Sequence, residues 1–287
     1  MPTMKSIKKR ISSVNNTKKI MKAMDLVSAS KLQKAKTLLD ETRPLCENLQ
    51  RIIDGIKTTI RPEDEIAFAE KRDVKTIGYI VLTSDRGLCG SYNTNVAKET
   101  LAMIEERTGK EERIIAVGAR GWEYFRRRGK NVAQKFPGPS EETTYEDARA
   151  IADRVSEMFA AGEIDEAHLV YTHFETLLSH VPISVKLLPV KEDVSEGGNA
   201  DADYMTYDPD IKTFLSHAIP MYLSTTIYGA LIESMVCEQA ARMTSMDAAT
   251  RSATEIIDDL TLEYNRKRQN LITQEITEIV SGANALQ

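Results

Sequence analysis

The chain has 287 residues, 41% of them hydrophobic and 28% charged, with a net charge of −5. At about 100–200 residues per domain that allows one large domain or two modest ones, and the composition excludes a disordered or collagen-like chain. No apolar run approaches the ~18 residues needed to cross a bilayer, and no apolar stretch follows the N-terminal charges, which predicts neither a membrane span nor a secretory signal.

The near-neutral total hides an asymmetry. Through Lys36 there are ten Lys/Arg against Asp25 alone, giving +9, so the other 251 residues must sum to −14. The first 57 residues contain only Pro2, Pro44 and Gly55 as breakers, which predicts a helix too long for a compact core over 1–57. One seven-residue register runs Ile7, Val14, Met21, Ser28, Ala35, Thr42, Leu49, Ile56, and its companion Ile11, Lys18, Asp25, Leu32, Leu39, Cys46, Ile53. Eleven of these fifteen positions are apolar, the pattern of a coiled coil loosened locally by Lys18, Asp25, Ser28 and Thr42. The Arg43-Pro44 step is expected to kink it, because proline lacks an N–H and crowds the preceding turn.

Residues 73–190 alternate strand and helix signals. Thr76–Thr83, Ile114–Val117, Val132–Phe136, Ala167–Tyr171 and Ile183–Leu188 are short, Val/Ile-rich and bounded by Gly, Pro or Asp, and helical patterns fill about 93–108, 120–128 and 145–161. This predicts a mostly parallel sheet with packed helices, a Rossmann-like α/β domain. Residues 191–210, acidic and Gly/Asp-rich, read as a connector. From 211 to 287 the breakers before Gly282 are Pro220 and Gly229, which predicts a second long helix. Its apolar stripe reads Met246, Ala249, Ala253, Ile256, Leu260, Tyr264, fails over Asn265–Asn270 and resumes at Leu271, Ile272, Ile276, Ile279 and Val280. A polar break in a buried seam costs stability, so it reads as a contact site. A compact insert brings its ends together, so the two terminal helices are expected to pair antiparallel as a coiled coil with one seam each and apolar residues left for partners.

Three constellations bear on chemistry. The loop Ser84-Asp85-Arg86-Gly87-Leu88-Cys89-Gly90 follows a strand and precedes a helix, where open α/β sheets bind ligands. It is not GxGxxG, and the chain has no Walker A run. Cys89 is a nucleophile if its pKa is lowered by the helix N-terminus, but no histidine is near it in sequence, and a tight loop around a small buried thiol is the better reading. Cys46, Cys89 and Cys237 are odd in number and far apart, which argues against a disulfide framework or a local metal clamp. His168, His173, His180 and His217 show no metal-binding spacing. No cofactor and no metal are expected. The basic N-terminus fits a nucleic-acid-binding helix, but apolar residues interrupt it and lysine outnumbers arginine. A basic rod face set against an acidic protein partner uses both the charge and the seam. The remaining readings are a basic coiled-coil scaffold or nucleic-acid-binding protein, and a small α/β enzyme built on the 84–90 loop.

The opening IKKRISSVNNTKKIMKAM at 7–24, SDRGLCG at 84–90 with Asn93, and the close EQAARM at 238–243 with YNRKRQNLITQEITEIVSGA at 264–283 resemble the gamma-subunit family of F-type ATP synthases. The resemblance implies an antiparallel two-helix shaft carrying a Rossmann-like domain. It further implies a central rotor that turns inside a hexamer of alpha and beta subunits, couples ion-driven c-ring rotation to ATP synthesis or hydrolysis, and has no catalytic residues of its own. Its implied partners are alpha, beta, epsilon and the c-ring, with no nucleic acid. By the same resemblance Lys22, Met24, Arg242, Arg268, Gln269, Thr273 and Glu275 belong to the contacts with beta. Ile276, Ile279 and Val280 belong to the bearing at the top of the hexamer, and Tyr204, Tyr207 and Asp208 to the foot on the c-ring. The lack of a chloroplast-type cysteine pair and transit peptide implies a bacterial protein peripheral to the cytoplasmic face of the plasma membrane.

Overall fold

The computed structural model describes residues 3–57, 68, 72–177, 179–190 and 211–285. In chain order the elements are α1 (Met4–Lys57), β1 (Thr76–Leu82), α2 (Tyr92–Glu106), β2 (Glu111–Val117), α3 (Ala119–Arg126), β3 (Val132–Phe136), α4 (Tyr145–Ala160), β4 (Glu166–Phe174), β5 (His180–Leu188) and α5 (Ile211–Ala285). Both long helices run through their internal prolines, Pro44 and Pro220. Two compact units emerge, one from Met1–Ser28 with Met243–Gln287, the other from Ala29–Arg242. The division falls inside the long helices, because their inner stretches join the core of the sheet.

In the first unit the seven-residue register governs burial. Ile7 is 2% exposed, and the polar members Asp25 and Ser28 are only 8% and 2% exposed. Ile11, Val14, Lys18 and Met21 are half-buried. On α5, Met246, Ala253 and Leu260, seven residues apart, are buried, and Thr250, Ile257 and Tyr264 flank them half-buried. This corrects the expected stripe at one position: Ile256 is 44% exposed and Ile257 faces inward. From Ala253, a step of three and a step of four land on opposite flanks of the same face, and two adjacent isoleucines give the sequence no means to choose.

In the second unit five strands form one sheet in the order β3-β2-β1-β4-β5. β1 pairs parallel with β2 and β4, and β2 parallel with β3. β5 pairs antiparallel with β4, because a short turn rather than a crossover helix joins them. Side chains alternate between faces. Ile80, Leu82, Ile115 and Leu169 share one cluster with Ile151 and Phe159 of α4, Leu215, Ile219 and Leu223 of α5, and Leu49 and Ile53 of α1. Ile77, Tyr79, Val81 and Ile114 join Val96 of α2 and Phe125 of α3 in the other. The sheet is thus covered by the long helices and α4 on one side and by α2 and α3 on the other. α1 and α5 run antiparallel here: Arg43 meets Glu233 at 3.5 Å, while Cys46 Sγ lies 3.6 Å from the carbonyl of Thr225. Gly229 permits the approach, since a Cβ there would sit 2.8 Å from Cys46 Sγ.

Candidate functional site

The carboxyl edge of β1 is filled by its own loop. Asp85 accepts from Ala119 N at 2.8 Å, at the start of α3, and from Gly138 N at 3.0 Å. Asn93 Oδ1 accepts from Ser84 N at 2.8 Å, and Asn93 Nδ2 donates to Ser84 Oγ at 2.7 Å and to Cys89 Sγ at 3.1 Å. Backbone approach leaves no slot either: at Gly118, which has φ +99°, a Cβ would lie 2.1 Å from Thr83 O. The N–H groups that greet a phosphate in ligand-binding α/β sheets are here taken by carboxylate and amide. Cys89 is 2% exposed and burial pushes its thiol above the ordinary value, the reverse of what a nucleophile needs. No group of three or more His, Cys, Asp and Glu among the described residues could hold a metal ion.

The same loop is tied to α5. Arg242 donates to Glu238 at 2.6 Å and to the carbonyl of Gly87 at 3.3 Å. Glu238 and Arg242 are only 5% and 8% exposed, and burial raises the Glu238 carboxyl pKa against the pull of Arg242. Arg242, assigned by resemblance to a partner contact, is therefore committed within its own unit. At the loop's tip Leu88, with φ +64°, is 63% exposed, an apolar side chain that sequence reasoning passed over. At the opposite end of the strands Glu166 gathers Arg107 at 2.5 Å, Lys186 at 3.0 Å and His168 at 3.2 Å. Burial raises its pKa, but hydrogen bonds from Lys186, His168 and Arg107 outweigh that and hold the carboxyl at about 2.

In the first unit Lys22 pairs with Asp25 at 2.7 Å, so this lysine answers a buried acid on its own helix. Its pKa is raised by that hydrogen bond first and by the charges of Asp25 and Asp247. Met24 is half-buried. Between 247 and 263, α5 carries Asp247, Glu255, Asp258, Asp259 and Glu263 against Arg251, so part of the acidic complement expected from partners comes from the chain itself. Counting in opposite directions along the two helices from Lys22 and Asp247 brings Met4 level with Asn265. The polar stretch Asn265–Asn270 therefore marks the end of the two-helix seam rather than a gap within it. Beyond it α5 continues with no helix beside it among the described residues. Arg268, Gln269, Thr273 and Glu275 are exposed, and so are Ile272 at 48%, Ile276 at 56%, Ile279 at 71% and Val280 at 52%. Positions 272, 276, 279 and 280 share one helical face, so the structure leaves an apolar stripe open above a polar collar. Tyr204, Tyr207 and Asp208 lie outside the described residues.

Glu233 was not singled out from the sequence, and Glu238 entered only as part of the motif at 238–243. The available signal was two acids five residues apart in the run Leu231–Ala241, whose other members are apolar or small apart from Gln239, since lone carboxylates on a core-facing helix are costly unless partnered. No helix among the described residues is long and apolar enough to cross a membrane.

Residues 3–286 match the ATP synthase family model. The ATP synthase gamma chain of Alkaliphilus metalliredigens is 42% identical over 290 residues, covering 99% of each chain. The sodium-ion-specific ATP synthase gamma chain of Acetobacterium woodii is 40% identical, covering 98% of this chain and 97% of its own. Among solved structures, a chain of the Euglena gracilis mitochondrial ATP synthase superposes with a TM-score of 0.69 at 18% identity, over 99% of this chain and 94% of that one. The last likeness speaks for the fold.

Proposed function

The chain belongs to the ATP synthase gamma chain family, and from that premise we propose that it is the central rotor shaft of an F-type ATP synthase. In this reading the paired α1 and α5 turn inside a hexamer of alternating alpha and beta subunits. Epsilon and the c-ring engage the opposite end, where the resemblance sets Tyr204, Tyr207 and Asp208 on the ring. The chain performs no chemistry. Its off-axis surface contacts each beta subunit differently, and a partner's conformational equilibrium moves only as far as such differential contact allows. The assembly sits peripherally at the cytoplasmic face of a bacterial plasma membrane.

The observation that carries this reading is the end of α5. A helix that leaves Ile272, Ile276, Ile279 and Val280 open to solvent needs an apolar sleeve, and Arg268 and Gln269 below it are exposed. Arg268 and Gln269 fit a beta-subunit loop, with Thr273 and Glu275 adjoining. Lys22, Met24 and Arg242 belong by the resemblance near beta's acidic lever, Arg242 through the loop whose Gly87 carbonyl it holds. Ile276, Ile279 and Val280 form the bearing. The closed carboxyl edge of β1 favours this role over a ligand-binding enzyme, and the acids of α5 beside the basic face of α1 favour it over a nucleic-acid binder.

A disulfide crosslink between Gln269→Cys and a beta-subunit loop tests the rotor directly. Hydrolysis by the complex should stop on oxidation and return on reduction. Undiminished hydrolysis with the crosslink formed, or failure of the chain to copurify with an ATP-hydrolysing hexamer, would sink the reading.

A further inference from the structure

Glu233 of α5 is 7% exposed, yet it is surrounded in sequence by Leu231, Ile232, Met235 and Val236, all buried. Its Oε1 meets three donors from two other elements. His173 Nδ1 of β4 lies at 2.9 Å, the backbone N–H of Phe174 donates at 3.2 Å, and Arg43 Nη2 of α1 stands at 3.5 Å. One carboxylate thus joins both long helices to the C-terminal end of β4.

Burying a charged group is expensive, and a well-packed apolar group of the same size often serves stability as well or better. Interdigitated apolar packing already resists sliding, but its contacts are non-directional and fix small rotations of a helix on a sheet less sharply than polar contacts do. Hydrogen bonds and ion pairs with fixed geometry oppose such motion. We propose that Glu233 is a positioning residue that keys α5 and α1 in rotation to the α/β sheet, so that torque on the sheet reaches both helices without slip. The proposal rests on the rotor reading. A second key, Glu238 with Arg242 on the carbonyl of Gly87, fixes α5 to the loop after β1 but leaves α1 untouched. Glu233 is the one that reaches across all three elements.

The test uses the assembled complex, with the hexamer fixed to a surface and a bead attached through Asn131→Cys, exposed just before β3. With the hexamer halted by a non-hydrolysable nucleotide, the variance of the bead's angle reports torsional compliance. Because core packing and the second key share the load, loss of this one should raise the variance measurably but by less than twofold in Glu233→Ala. Glu233→Gln, which keeps an acceptor for Phe174 N–H, should give a smaller rise, and unloaded hydrolysis should not change in either. Arg43→Gln, at a side chain 42% exposed, should broaden the distribution without threatening the fold. The double Arg43→Gln/Glu233→Gln should be no broader than Glu233→Gln alone, because both act through one contact. Should Glu233→Ala fail to assemble, the Gln variants decide. A wild-type bead that never turns on ATP overturns the rotor reading and this proposal with it. A wild-type bead that turns, with variance unchanged in the variants or additive in the double, overturns the keying alone.

Discussion

Gly229→Ala places a methyl group where α1 leaves no room. The new Cβ would lie 2.8 Å from Cys46 Sγ, and its next neighbour, Cys46 Cβ, would be 3.7 Å away. Non-bonded heavy atoms are most comfortable at about 3.5–4.0 Å, so either the thiol swings off the Thr225 carbonyl or the helices part. Overpacking of this kind costs ~1–3 kcal/mol, while glycine to alanine in a helix interior returns ~0.8–1.0 kcal/mol. The substitution should therefore be neutral to destabilising by about 2 kcal/mol. Cys46→Ala removes the sulfur, and the nearest remaining atom then stands at an ordinary contact distance. In that background Gly229→Ala should stabilise by about 1 kcal/mol, because the propensity gain is no longer opposed. The sign of one substitution is thus set by one atom on the other helix. Urea unfolding of the four proteins of this cycle, followed by far-UV circular dichroism, gives the coupling directly. Stabilisation by Gly229→Ala in the wild-type background, or the same effect in both backgrounds, would refute the close approach.

The pH dependence of stability should carry the mark of Glu166. Its folded pKa of about 2 lies below the ordinary 4.5, so its contribution is complete above pH ~4.5 and is lost as pH falls toward 2. Discounting for half-exposed Arg107 and Lys186, that contribution is on the order of 2 kcal/mol, and unfolding midpoints of Glu166→Gln should fall less steeply over that window than those of the wild type. Arg268→Leu should leave assembly intact, since the apolar stripe above it is untouched, yet lower turnover roughly tenfold by removing a charge-assisted contact worth ~1.5 kcal/mol. Steady-state hydrolysis at equal occupancy of the hexamer checks this. Ile276→Ala/Ile279→Ala should change the free chain's stability by less than ~0.5 kcal/mol. The same pair should weaken its binding to the hexamer about tenfold or more, read by titration of labelled chain.

Periodicity carried most of the architecture. Helices cannot hide a seven-residue repeat, and all fourteen described members of the α1 registers are buried or half-buried, including the polar Lys18, Asp25, Ser28 and Thr42. Those four looked like failures because hydropathy was the only scale available. The structure supplies what hydropathy lacked: Thr42 donates to the carbonyl of Leu38 at 2.7 Å and Asp25 has Lys22. Strand positions were legible for the same reason, as Val/Ile runs between Gly, Pro and Asp. The antiparallel sense of β5 was not, because a run of residues carries no direction, and only the short 175–179 connection could have given it.

The candidate contact surface was legible as a break in pattern but was misread in kind. By pattern alone Asn265–Asn270 reads as a costly polar gap inside a seam, whereas the seam ends there because α1 has not yet begun. That distinction depends on the register between segments more than two hundred residues apart, and a single sequence carries no measure of it. The physical consequence runs in favour of the contact. A polar gap inside a two-helix seam would be answered by the opposite helix, whereas at the seam's end Arg268, Gln269 and Asn270 are exposed. Arg268 and Gln269, with the apolar stripe above them, are left to whatever surrounds the helix.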